Sequence, residues 1–215
     1  MTTLPSVIPV FPLPNVVLFP QVMLPLHIFE PRYRQMVRDT RDKERPMIGM
    51  ALLRGNWQDN YEGNPDVFPV GCAGEMVRVA PMPDGRYNIL LQGFRRYRIQ
   101  EEFFAKSYRE AKVEWDEQTD DSLEANQREQ LCNLLNRYLP KNENVQKFLA
   151  DPTTEDAFFV NFFAFHLDFL PIEKQSLLEA ESLRARVQQL CDILDFKLTE
   201  TRWLEGGSGG KPRLH

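Results

Sequence analysis

From Thr2 to Phe29 the chain carries no lysine, arginine, aspartate or glutamate, yet Pro5, Pro9, Pro12, Pro14, Pro20 and Pro25 lie inside that stretch. An apolar run of this length is long enough to cross a bilayer as a helix. The prolines exclude it, because each one inside a helix costs about 3 kcal/mol and removes a backbone donor. The segment is expected to be extended, as short apolar strands broken at prolines, such as Val10–Leu13 and Met23–Phe29. That predicts a half-buried β region and no membrane segment.

A short helix interrupts the β pattern early. After Glu30 and Pro31, the residues Phe29, Tyr33, Met36 and Val37 recur at helical spacing, with Arg32, Arg34 and Arg38 between them. This predicts an amphipathic helix with a basic outer side. Met47–Leu53 has strand length, and Arg54–Pro69 reads as a long loop carrying Trp57 and Tyr61. Val70–Ala80 and Tyr87–Leu91 flank a Pro-Met-Pro-Asp-Gly turn and predict a hairpin. Gly93 allows a bend or bulge, and Phe94–Glu101 and Ala111–Trp115 read as further strands. Close-spaced short strands point to a small barrel or sandwich.

Beyond Trp115 the period changes. Asp121 with Glu124 gives an N-cap signature, and Leu131, Leu134, Leu135 and Tyr138 mark one helical face closed by Pro140. A short helix holds Val145, Phe148 and Leu149, and Thr153 or Thr154 caps the next. That one carries six phenylalanines between Phe158 and Phe169. It is apolar nearly all round and is expected at the centre of a helical bundle. Pro171 breaks it, Ile172–Ala180 is helical, and leucines and a valine from Leu183 to Leu198 keep helical steps. Two lobes are expected, a β lobe over 1–116 and a helical lobe over 117–204, with a flexible tail over 205–215.

The 215 residues suffice to bury a large core without staples, and a hydrophobic fraction of 42% with 27% charged is ordinary globular composition. A net charge of −5 disfavours nucleic acid as a partner. Cys72, Cys132 and Cys191 stand apart with no CxxC, which suits a reducing cytoplasm. The N-terminus lacks a basic n-region, so no secretory signal is expected.

Catalytic patterns are weak. The tail GGSGGKP has Glu205 and Pro212 where a phosphate loop needs glycine and Ser/Thr. His27, His166 and His215 lack metal-ligand spacing, and neither a metal nor a cofactor is expected. Lys174 and Ser176 do not face each other on a helix. Cys72 reads as a small buried residue. The acidic pairs Glu101–Glu102, Asp120–Asp121 and Glu155–Asp156 read as solvated faces or caps. Alternation along Phe94–Ile99 splits its arginines between two faces, which favours a structural strand over a nucleic-acid platform.

Ile8–Pro20 (IPVFPLPNVVLFP) resembles the opening of the Lon protease N-terminal domain, the substrate-binding region also seen in cereblon. Met23–Glu30 followed by Arg32-Tyr33, Pro69–Ala73, Pro83–Tyr87, Gly93–Ile99 and, in the helical part, Leu167–Leu178 continue the resemblance. It implies an α+β fold, an N-terminal PUA-like β-barrel followed by a C-terminal helical bundle. It also implies a stand-alone, non-catalytic polypeptide-binding module without ATPase or peptidase parts. The implied partners are unfolded or client polypeptides, and action as an adaptor to a separate ATP-dependent protease is an alternative to action alone. Candidate polypeptide-binding residues are Phe29, Glu30, Arg32, Tyr33 and Arg34 as a mixed apolar and charged rim. Trp57 and Tyr61 join them as loop anchors, with apolar grooves between barrel and bundle as a further candidate. RNA binding by analogy with PUA-like barrels is the alternative, and a small hydrolase the third.

Overall fold

A computed structural model describes residues 4–61, 63–117, 122–140 and 142–206. Six strands and six α-helices are found among them, so the fold is α+β. The described residues that fall within 1–119 and 161–179 cluster into one compact unit, and those within 120–160 and 180–215 into another.

The first unit is built on β1 (Val7–Leu13), β2 (Met23–Ile28), β3 (Met47–Leu52), β4 (Val70–Pro81), β5 (Tyr87–Phe103) and β6 (Arg109–Trp115). The sheet order is β2-β5-β4-β3-β1-β6, and β6 also pairs with β5. Pairings therefore run in a closed circuit through β5, β4, β3, β1 and β6, with β2 added at the side of β5.

β1 is longer than expected and runs through Pro9 and Pro12 rather than breaking at them. The pairing stagger explains why. β1 pairs with β6 over Val7–Val10 and with β3 over Val10–Leu13. The Ser6 carbonyl accepts from Val113 N and the Leu13 carbonyl from Leu53 N. Even-numbered backbone groups thus face β6 and odd ones face β3. Pro9 lacks its N–H on the β3 side before β3 begins to pair, and Pro12 lacks its own on the β6 side after β6 has stopped. Pro25 follows the same logic. The Val22 carbonyl accepts from Gly93 N of β5, so Pro25 faces the opposite, unpaired side of β2.

The interior is filled from β5. Tyr97 is fully buried among Ile8, Val10, Met47, Ala51, Ala73, Ala111 and Val113, and its hydroxyl donates to the Met50 carbonyl at 3.0 Å. Room for the ring comes from Gly71, where an added Cβ would lie 2.5 Å from the Tyr97 hydroxyl. Burial pushes the Tyr97 phenol far above its usual 10.0, and burial does the same to Tyr33. The folded state then holds protons that the unfolded chain has lost, so stability is full below about pH 10 and falls as pH rises further. In an alkaline titration of the 6 tyrosines at 295 nm, two are expected to ionise only together with loss of the circular dichroism signal. All six titrating with the signal intact would contradict this.

The hairpin closes through Gly85 at φ +78°, whose N–H donates to the Met82 carbonyl, while Asp84 Oδ1 accepts from Arg86 N at 3.0 Å. The helix α1 (Pro31–Thr40) buries Tyr33, Met36, Val37 and Thr40. Two helical segments complete this unit. They are the end of α4 (Asp156–His166) and α5 (Pro171–Glu179). Asn161 Nδ2 donates to the Pro20 carbonyl, Gln175 Nε2 to that of Val70, and Arg96 to that of Leu178.

In the second unit, α2 (Ala125–Tyr138) packs against α6 (Leu183–Gly206), burying Leu131, Leu134 and Leu135 with Val187, Leu190 and Leu194. α3 (Glu143–Ala150) lies between α2 and α4 in the chain. The N-cap of α2 is Glu124, with Gln127 Oε1 accepting from its N–H at 3.2 Å; Asp121 lies outside the described residues. Thr153 and Thr154 donate their hydroxyls to Asp151 instead of capping α4. α6 extends through Gly206, into the stretch expected as a tail, and residues 207–215 lie outside the described residues. Among the described residues no helix is long and apolar enough to cross a membrane.

Candidate functional site

Pro31 occupies the first turn of α1, and Glu30 is its N-cap residue without a side-chain capping bond. The Glu30 carboxylate is therefore available to the loop opposite. It accepts from Arg32 Nε at 3.0 Å and from the Tyr61 hydroxyl at 2.9 Å. Arg32 reaches the same loop, with Nη1 and Nη2 donating to the Tyr61 carbonyl at 3.3 and 3.4 Å. Its guanidinium lies 4.7 Å from the Tyr33 ring centroid and 5.1 Å from that of Tyr61. A 3-10 turn over Trp57–Asn60 delivers Tyr61 to this position, and Trp57 meets the Tyr61 ring edge-on at 5.9 Å. Five candidates from the sequence, Glu30, Arg32, Tyr33, Trp57 and Tyr61, thus form one cluster.

Phe29 and Arg34 do not join it. Phe29 lies before the helix, 56% exposed, with its ring stacked on His27. The Arg34 guanidinium lies beneath the hairpin turn, where a Cβ on Gly85 would fall 2.2 Å from Nη2. The expected basic outer side of α1 is accordingly smaller than the sequence suggested, since Arg32 and Arg34 are both half-buried.

Arg32, Tyr33 and Tyr61 line a cavity of about 240 Å³. Its other wall is the connection from β5 to β6, with Phe104, Lys106 and Tyr108, and Arg109 at the start of β6. The Tyr108 hydroxyl donates to Asp39 of α1 at 2.9 Å. Lys106 Nζ donates to Glu110 at 2.9 Å. Arg109 is buried, its Nη2 donating to the Pro65 carbonyl at 2.5 Å, its Nη1 2.8 Å from Glu102, and its guanidinium 5.4 Å from the Phe104 ring. Glu102, expected on a solvated face, is exposed and also pairs with this buried arginine. The signal for the second wall is an aromatic, Phe104, two residues before Lys106 in the connection after β5, and it is 46% exposed.

Burial raises the Tyr61 and Tyr108 phenols, reinforced at Tyr61 by its bond to Glu30 and at Tyr108 by Asp39. Lys106 is held above the usual ammonium range by its bond to Glu110, then by Tyr108. Burial works against the Arg32 charge, but Tyr33 and Glu30 outweigh it and the net direction is upward. At neutral pH the cavity therefore presents protonated phenols, fixed cations and aromatic faces. These are groups for recognition by hydrogen bond, charge and stacking. Among the described residues no group of three or more His, Cys, Asp or Glu is placed to hold a metal ion.

Residues 7–195 match the family model described as the ATP-dependent protease La (LON) substrate-binding domain. The Lon protease of Flavobacterium johnsoniae is 25% identical over 91% of this chain and 24% of its own length, so the chain spans about a quarter of that relative. The crystal structure of a Lon N-terminal domain protein from Xanthomonas campestris is 25% identical, covering 86% of this chain and 96% of that one at a TM-score of 0.65. The N-terminal domain of Mycobacterium avium complex Lon protease shares the fold, with 14% identity, 88% and 98% coverage and a TM-score of 0.67.

Proposed function

The chain belongs to the Lon substrate-binding domain family, and from that premise we propose that it is a non-catalytic, cytoplasmic module that binds unfolded or client polypeptides. The observation that carries this reading is the family match over residues 7–195. In this reading the segment enters the cavity lined by Arg32, Tyr33 and Tyr61, with Trp57, which meets the Tyr61 ring edge-on, as a neighbouring contact. Large, stiff aromatic side chains and arginine are the residue types that dominate polypeptide interfaces. Delivery of the bound segment to a separate ATP-dependent protease belongs to the same reading.

The test is binding of a reduced, carbamidomethylated and therefore permanently unfolded protein, measured by calorimetry. The double variant Trp57→Ala/Tyr61→Ala is expected to weaken binding by about tenfold or more, with circular dichroism unchanged. Unchanged affinity removes the loop from the site. No binding by the unaltered chain removes the function.

A further inference from the structure

The cavity proposed to receive polypeptide has a further chemical bias. Its described lining places three cations, Arg32, Lys106 and Arg109, around the rings of Tyr33, Phe104 and Tyr108, with no carboxylate among the described lining residues. The carboxylates that hold those cations, Glu30, Glu110 and Glu102, are not part of that lining. They fix the cations in place without occupying the space.

The donors are also incompletely used. Arg109 is only 6% exposed, and its Nη1, despite the ionic contact with Glu102, has no hydrogen-bond partner. A buried guanidinium N–H without an acceptor is costly. At Arg32, Nε and Nη2 each lie 3.0 Å from the Glu30 carboxylate, while Nη1 reaches only the Tyr61 carbonyl, at 3.3 Å. That is a long contact for a guanidinium donor.

From these features we infer that the cavity selects polypeptide segments by a carboxylate, either the chain's C-terminus or an acidic side chain, seated beside an apolar or aromatic group. The inference rests on the polypeptide-binding reading and narrows it. A volume of about 240 Å³ is the scale of a side chain or a short peptide end and not of a folded partner. The net charge of −5 disfavours a long polyanion such as RNA, while a single carboxylate can meet the cation-bearing wall, whose paired carboxylates lie outside the lining. The ring walls take the apolar body while the cations take the charge.

The test uses the intact chain and three unlabelled N-acetylated tripeptides ending in phenylalanine, titrated by calorimetry. One has a free C-terminal carboxylate, one is amidated and neutral, and one is amidated with an internal aspartate. At least one carboxylate peptide is expected to bind about tenfold or more tightly than the neutral one, with the advantage shrinking as salt rises. Which of the two does so identifies the source of the carboxylate. Lys106→Gln, at a side chain 43% exposed and so safe for folding, and Arg32→Gln are each expected to shrink that advantage. Equal affinity of the neutral peptide, or an advantage untouched by both variants, overturns the inference. It leaves the proposed function standing wherever the unfolded protein still binds. Failure of that protein to bind overturns both, and binding of a short RNA with every peptide silent does the same.

Discussion

Replacing Gly93 by alanine is expected to destabilise the unit that carries the sheet by about 3 kcal/mol or more, lowering its Tm by about 6 to 12 °C. The new Cβ would lie 2.0 Å from the Phe19 carbonyl oxygen, 2.9 Å from its carbon and 3.3 Å from the Pro20 Cα. All three are backbone atoms, so no rotamer change relieves the clash. The segment also cannot slide away cheaply. Gly93 N–H donates to the Val22 carbonyl at 2.8 Å, and the Gly93 carbonyl accepts from Gln21 N at 2.7 Å. Gln21 itself is held at φ 67°, and Phe19 is fully buried. Thermal melts of the variant beside the unaltered chain decide the matter. A shift below about 2 °C would mean that β5 and the 19–22 segment do not approach this closely.

That position shows what the sequence could and could not tell. Gly93 was legible as a bend or bulge, and the pairing does slip there, with Arg95 opposite Ala73 but Gly93 opposite Gly74. What it makes room for was not legible, because Phe19 is more than seventy residues away in the chain. Element type followed from period and from prolines throughout. The unit a helix joins did not, because Asn161 and Gln175 commit their segments to the sheet through hydrogen bonds that no local pattern encodes. The candidate site divides in the same way. Glu30, Arg32, Tyr33, Trp57 and Tyr61 stand out as aromatics and charges around a helix start and in a long loop. Phe104, Lys106, Tyr108 and Arg109 reach the cavity only because β5 and β6 bring their connection there.

Phe159→Ala is expected to cost the helical unit about 3 to 5 kcal/mol, the ordinary result of emptying a fully buried aromatic site. The ring does more than fill space. The Phe148 ring lies 5.6 Å away, and the Arg128 guanidinium lies 4.4 Å from the ring centroid on its face. Arg128 in turn donates to the Thr154 and Asp151 carbonyls, each at 3.1 Å, and pairs with Asp156. Loss of the ring therefore removes one wall of the arginine's seat as well as apolar burial. The control is Phe196→Ala on α6, where the side chain is 67% exposed and the expected change is within about 0.5 kcal/mol. The two phenylalanines are alike in composition and differ in burial and in what rests on the ring. Denaturant melts of both variants separate these accounts. Equal effects would mean that Phe159 is not the anchor beneath Arg128. A large loss at Phe159 alone would place the α2–α4 tie at the centre of that unit's stability.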